Sequence, residues 1–218
     1  MHLQKFTFNP FSENTFLLWN EDLNAIIIDP GMSDRAEQQQ MEAFIQAHNL
    51  TLTSLILTHA HIDHILGNAW VFDRFGLKPV MHYDALQTLL QGSAVSSMYG
   101  IPYDVSPQPS SFLNEGDVIT LGASEWRVLL VPGHAPGHIA LYNEEEGCVI
   151  AGDVLFRGSV GRVDLPGSEP RLLVDSIQRK MYALPDDTVV YCGHGPETTI
   201  GFEKANNPFV RPNFSGLG

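Results

Sequence analysis

The stretch Ser54-Leu55-Ile56-Leu57-Thr58-His59-Ala60-His61-Ile62-Asp63-His64 decides how this chain is read. Leu55 to Leu57 form an apolar run of strand length. Four metal-capable side chains then fall within six residues. Imidazole and carboxylate are the usual nitrogen and oxygen ligands of zinc. His59 and His61 are two apart on near-extended chain and so point to one side. Asp63 and His64 are expected at the start of a helix over Ile65–Phe75, aimed at a second position. One segment can thus serve two neighbouring metals.

Three further segments repeat the form of an apolar, β-branched run followed by glycine and then a ligand-type residue. Trp126–Gly133 ends at His134, Gly147–Gly152 at Asp153, and Thr188–Gly193 at His194. Glycine suits a tight exit turn because it has no Cβ to clash. Ligand sites in open α/β sheets lie beyond the carboxyl ends of strands. The resulting set is His59, His61, Asp63, His64, His134, Asp153 and His194. It suits two divalent ions about 3.5–4 Å apart with a shared carboxylate and hydroxide. Asp153 is the expected bridge, since a carboxylate offers two oxygens. His59, His61 and His134 are assigned to one ion, and Asp63, His64 and His194 to the other. Asp63 is also placed to receive a proton from the nucleophile, so Asp63 and Asp153 are the expected catalytic carboxylates. Zinc is the expected metal, and the donor set also accommodates iron or manganese.

The order Thr58-His59-x-His61-x-Asp63-His64, Pro132-Gly133-His134, Gly152-Asp153 and Gly193-His194 resembles the metallo-β-lactamase superfamily. Three segments carry a nearer resemblance to glyoxalase II-like hydrolases: Pro132–His138, Ala151–Phe156 and Gly161-Arg162-Val163-Asp164. The ending Gly193–Gly201, with Glu203-Lys204 and Asn207-Pro208-Phe209, is similar to the short single-domain members. The resemblance implies an α/β fold, an αββα four-layer sandwich with two mixed β-sheets between outer helices. It implies one domain over residues 1–218, without the C-terminal helical domain that helps grip glutathione. It further implies thioester hydrolysis of the S-lactoylglutathione type by a metal-bridging hydroxide, with Arg162 binding an acidic group of the substrate. A tyrosine of that family is replaced here by Asp164. The alternatives are a persulfide dioxygenase-like enzyme with one iron, or a lactonase or β-lactamase of the same fold.

The chain has 218 residues, 44% of them hydrophobic, enough for a sizeable core. Its net charge of −13 disfavours nucleic acid and anionic membranes, which need a basic footprint. The expected partner is a small molecule, an anionic thioester, held where the metal ions reverse the local sign. No signal-peptide pattern and no spanning apolar run is visible, so a cytoplasmic location is expected. Cys148 and Cys192 read as buried small hydrophobes. His138 reads as a structural histidine bonded to backbone or as a residue orienting a ligand. Arg157 and Arg162 read as substrate-side cations or as partners of Asp164 and Glu169. Strands are expected at Phe16–Trp19 and Ala25–Asp29. Helices are expected at Arg35–His48, Ile65–Phe75, Tyr83–Gly92 and Arg171–Leu184. The Ser- and Pro-rich stretch 92–111 is expected to be a loop or flap.

Overall fold

The computed structural model describes residues 1–215. The chain divides into two compact units, Met1–Leu113 with Thr120–Ser124, and Asn114–Ile119 with the residues from Glu125 onward.

The sheet of the first unit runs in the order β1 (His2–Phe8), β2 (Glu13–Trp19), β3 (Asn24–Ile28), β4 (Thr51–Ile56), β5 (Pro79–Met81), β6 (Ser111–Phe112). The first three strands pair antiparallel and the last four parallel, so the sheet is mixed. Its helices are α1 (Arg35–Ala47), α2 (Ile62–Ile65), α3 (Asn68–Phe75), α4 (Leu86–Leu90) and α5 (Gly92–Tyr99). Alternate strand residues Phe6, Phe8, Leu17, Ala25, Ile27 and Leu55 pack with Met41 and Ile45 of α1 and Val71 of α3. Each such side chain contributes roughly 1.5–3 kcal/mol when fully buried. The intervening Phe16, Leu18, Ile26 and Ile28 are also buried, which is why β2 and β3 read as continuous apolar runs. Helix α1 starts where the Asp34 side chain accepts the Glu37 amide at 2.9 Å.

The second sheet runs β14-β13-β10-β9-β8-β7, with β7 (Val118–Leu121), β8 (Ser124–Leu130), β9 (Ile139–Asn143), β10 (Cys148–Gly152), β13 (Val189–Cys192) and β14 (Thr198–Thr199). Between β10 and β13 lie a small hairpin, β11 (Leu155–Phe156) and β12 (Ser159–Val160), and helix α6 (Pro170–Arg179). Helix α7 (Ile200–Asn206) and a two-stranded ribbon, β15 (Val210–Arg211) and β16 (Phe214–Ser215), close the described chain. Leu173 and Ile177 of α6 pack with Val131, Ala140, Val149, Ala151 and Val190. Strand β9 runs antiparallel to both β8 and β10, and β13 runs parallel to β10. Strands β8, β10 and β13 therefore point the same way and deliver their carboxyl ends to one edge.

The α/β class and the two mixed sheets agree with the sequence reading. Three elements differ. The helix expected over Ile65–Phe75 is broken into α2 and α3 at Leu66-Gly67. The Gly67 amide donates to the Pro30 carbonyl at 2.7 Å, and a Cβ there would lie 2.8 Å from that oxygen. The expected loop 92–111 begins with helix α5, and the Tyr103 ring closes over Gly92 so tightly that a Cβ would meet it at 2.8 Å. The irregular part is pinned by Asn68 Nδ2 donating to Ser106 Oγ at 2.9 Å and the Ser106 amide donating to Tyr103 Oη at 3.1 Å. The opening strand β1 adds to the sheet edge in register with β2, His2 opposite Trp19 and Phe8 opposite Glu13. No helix of the described residues is long and apolar enough to cross a membrane.

Cys148 and Cys192 are both buried thiols. Burial pushes each up to about 12. A raised thiol pKa leaves the reactive thiolate at roughly one part in ten thousand at pH 8. Native protein at pH 8 is therefore expected to resist alkylation at both cysteines, and denatured protein to take up two labels. Rapid native labelling, read by intact mass, would contradict this burial.

Candidate metal centre

In the first unit the ligand-type residues leave the carboxyl end of β4. The rings of His59 and His61 stand edge to face with centroids 4.8 Å apart, and those of His59 and His64 are 4.2 Å apart. His64 Nε2 lies 3.8 Å from Asp63 Oδ2. All four expected ligands of this unit therefore fall in one cluster, with Asp63 and His64 on the short helix α2.

Asp29 organises that cluster. It follows strand β3 directly, and its backbone takes the left-handed region at φ 50°. The Thr58 amide donates to Asp29 Oδ1 at 2.7 Å and the Thr58 hydroxyl donates to Oδ2 at 2.5 Å. His64 Nδ1 lies 3.1 Å from Oδ2. Because the Thr58 hydroxyl proton is committed to Asp29, its oxygen accepts from His59 Nδ1, 3.1 Å away. Both imidazoles are then fixed as Nδ1–H tautomers with Nε2 as the ligand nitrogen. A ligand atom of Asp29 also comes within 4.8 Å of one on His59 and one on His64. Its oxygens are spent on Thr58 and His64, so Asp29 orients the two imidazoles.

Glu13, fully buried, lies behind Asp29. Thr15 Oγ1 is 3.0 Å from Glu13 Oε2, and Glu13 Oε1 is 3.7 Å from His64 Nδ1. Burial drives the Glu13 carboxyl well above the usual range, with His64 pulling it back down. On the other side, Asn9 Nδ2 donates to the carbonyls of Gly31 and Asp63 at 2.9 and 3.0 Å, tying the β1–β2 turn to the ligand loop.

In the second unit three expected ligands share the edge where β8, β10 and β13 end. Asp153 Oδ2 lies 3.5 Å from His134 Nε2 and 3.5 Å from His194 Nε2. Ligand bonds of about 2.1 Å around a tetrahedral ion set neighbouring donor atoms about 3.4 Å apart. The observed spacing therefore fits donors around metal ions, and the donor set is one that zinc or iron accepts. His134 Nδ1 donates to the Arg162 carbonyl at 2.8 Å, which again leaves Nε2 as the ligand nitrogen. The turn before His134 requires glycine, since a Cβ on Gly133 (φ 128°) would come within 2.1 Å of the Leu173 amide nitrogen. Gly161 is equally confined, as a Cβ would lie 1.9 Å from the Asp153 carbonyl.

His138 meets both descriptions given above. It is fully buried, and its Nε2 accepts the amide of Asp153 itself at 3.0 Å. The backbone bond thus fixes an expected ligand residue. Arg162 holds Asp164 through two bonds, Nε to Oδ1 at 2.7 Å and Nη2 to Oδ2 at 2.8 Å. This fork keeps the Asp164 carboxyl down at about 2. Arg157 instead sits with its guanidinium 5.6 Å from the centroid of the Phe202 ring. Sequence reasoning passed over Asp29 and Glu13 as functional residues. Asp29 carried the same signal as the ligands, an acidic residue closing an apolar strand.

The metallo-beta-lactamase superfamily profile matches residues 8–194. Hydroxyacylglutathione hydrolase GloC of Haemophilus influenzae is 34% identical over 212 residues, covering 96% of this chain and 98% of that protein. Two solved structures overlay most of the chain. BLEG-1 B3 metallo-beta-lactamase has a TM-score of 0.86 at 33% identity, covering 95% of this chain and 98% of its own. TTHA1623 in a di-iron-bound form has a TM-score of 0.85 at 37% identity, covering 94% and 98%.

If Asp29 and His138 orient ligands, Asp29→Ala and His138→Ala should each lower metal affinity by about 10–100-fold. Competition against a chromophoric chelator measures this. Wild-type affinity in both variants would show that neither residue acts on the metal.

Proposed function

This chain belongs to the metallo-beta-lactamase superfamily, and on that premise we propose that it is a metal-dependent thioester hydrolase of the hydroxyacylglutathione hydrolase type. The observation that carries the reading is the Asp153 carboxylate flanked by the Nε2 atoms of His134 and His194 at equal distances. The similarity to GloC over nearly the whole of both chains supports the thioester class. The di-iron form of TTHA1623 supports a two-metal donor set and leaves iron beside zinc as the resident ion.

In this reading His59, His61 and His134 would hold one divalent ion, Asp63, His64 and His194 would hold the other, and Asp153 would complete both sets. Divalent ions held there would supply a water acidic enough to react at neutral pH and a Lewis acid for the thioester carbonyl. The protein's own groups do the rest. Asp29, through Thr58 and directly, keeps Nδ1 of His59 and His64 protonated so that Nε2 faces the ion. The Arg162 carbonyl does the same for His134. A carboxylate oxygen of Asp63 would take the proton released as water adds to the carbonyl and return it to the departing sulfur as the C–S bond breaks, giving the free thiol and the carboxylic acid.

Arg162 is the proposed contact for an acidic group on the substrate. Its present partner, Asp164, is exposed, and an exposed ion pair is weak because water and salt screen it. A substrate carboxylate can replace Asp164 at the same fork. Asp164→Asn is expected to lower KM for an anionic thioester by up to about fivefold, and Arg162→Ala to raise it. Steady-state kinetics with thiol detection measures both, and an unmoved KM in both variants would make the pair purely structural.

The reaction class is tested by supplying metal-loaded protein with S-lactoylglutathione, a lactone and a β-lactam in parallel. Elemental analysis should find about two metals per chain, falling in Asp153→Asn. Thiol release from S-lactoylglutathione should exceed turnover of the other two. Turnover of the lactam or lactone alone would replace the thioester reading, and oxygen uptake with glutathione persulfide by an iron form would replace hydrolysis.

A further inference from the structure

The hairpin β11–β12 carries an arginine whose setting the thioester reading leaves unused. Arg157 is exposed at the hairpin tip, one residue after Phe156. The Phe156 ring stands edge to face with the ligand His194, centroids 6.0 Å apart. The Arg157 amide is hydrogen-bonded to Cys192, two residues before His194. The Arg157 backbone thus lies near the carboxyl end of β13, next in the chain to the residue whose ring meets His194.

The tip is held rigidly from below. Glu203 of α7, fully buried, accepts the Gly158 amide on both oxygens at 3.0 and 3.1 Å. The same carboxylate accepts Thr198 Oγ1 at 2.6 Å and Asn207 Nδ2 at 2.8 Å. Asn207 Nδ2 also donates to the Ser159 carbonyl at 3.0 Å. The guanidinium itself rests against the Phe202 ring, which is 42% exposed. Among the described residues no carboxylate lies within ion-pair distance of it. A cation held on an aromatic face keeps its hydrogen-bond donors for an incoming group. Arg162 differs in that two of its nitrogens are already bound to Asp164. An arginine with no carboxylate partner among the described residues, near the end of β13 and in a chain of net charge −13, is suited to an anion.

We propose that Arg157, stacked on Phe202 and anchored through Gly158 to Glu203, is a second anion subsite that binds a distal carboxylate of the substrate's thiol half. The inference rests on the thioester reading and narrows it to thioesters of thiols bearing more than one acidic group.

The test compares metal-loaded wild type with Arg157→Ala, Arg157→Glu and Phe202→Ala. The substrates are S-lactoylglutathione, with two carboxylates, and S-lactoyl-N-acetylcysteamine, with none. The ratio of kcat/KM for the first over the second should fall roughly tenfold in Arg157→Ala, the loss of one charge-assisted contact. It should fall further in Arg157→Glu and part of the way in Phe202→Ala. A ratio within about twofold of wild type in all three overturns the proposal. Calorimetry with S-methylglutathione and its diamide reads the subsite without turnover. Arg157→Glu should weaken binding of the diacid more than that of the diamide, and equal weakening or none overturns the proposal. If wild type hydrolyses neither thioester, the thioester reading fails by itself and calorimetry alone decides the subsite.

Discussion

A 2.7 Å hydrogen bond from the Gly193 amide to the Gly152 carbonyl closes the end of the parallel pair β10–β13. Much of the second unit depends on it. Parallel register sets Gly152 opposite Cys192, after a shift past Ile150, so the next residues of both strands emerge side by side. Those residues are Asp153 and Gly193, with His194 one residue further on. Their backbones must leave the ladder without stranding polar groups, since an unmet buried amide costs about as much as a lost hydrogen bond. The Asp153 amide finds His138 Nε2, and the Gly193 amide finds Gly152. Gly152 takes φ 50°, a left-handed conformation that glycine adopts without the steric cost borne by other residues. Backbone accounting at a strand end thereby fixes the direction of two metal-type side chains.

The first unit solves the same problem with a side chain. Asp29 also takes a left-handed conformation but without glycine's freedom, and strain of this kind costs of order 1–3 kcal/mol. The compensation is visible in its oxygens, which bind the Thr58 amide, the Thr58 hydroxyl and His64. Asp29 cannot be placed this way without burying its carboxylate, 1% exposed, beside that of Glu13. Two buried acids repel each other, and the Asp29 charge adds to the burial that raises the Glu13 carboxyl. Such a concentration of acid against imidazole suits a cationic centre, where the positive charge of metal ions offsets it.

The parts legible in the sequence were those with a local cause. Each ligand followed an apolar run because a short buried strand has to be apolar on both faces, and that pattern reads without knowledge of the fold. The break at Gly67 was not legible, because its cause is the Pro30 carbonyl, more than thirty residues away in the chain. Helix α5 was hidden for a similar reason. Gly92 and the serines at 93, 96 and 97 have poor helix propensity, and packing of Tyr103 on Gly92 overrides it. Strand β1 alternates only weakly, with Gln4 and Lys5 adjacent, and gains its partners from β2. Asp29 was passed over because it lacks the flanking histidines that made the Thr58–His64 stretch conspicuous.

The two arginines of the second unit show how context divides one residue type into two roles. Arg162 and Asp164 are two apart on exposed chain, where a bidentate pair forms from local geometry alone. Such a pair is weak in water because both partners are well solvated and the charges are screened. Its effect is to leave the local field near neutral until a stronger anion competes. Arg157 has no carboxylate among the described residues to neutralise it, and its partner is the quadrupole of an aromatic ring. That contact uses the face of the ring and consumes none of the guanidinium's hydrogen-bond donors. The cost of holding the side chain in place is borne by the fold, through Glu203, Asn207 and Phe202, before any ligand arrives. Preorganisation of this kind spares the ligand an ordering cost. The chain thus carries one cation whose charge is held in check and one whose charge is exposed.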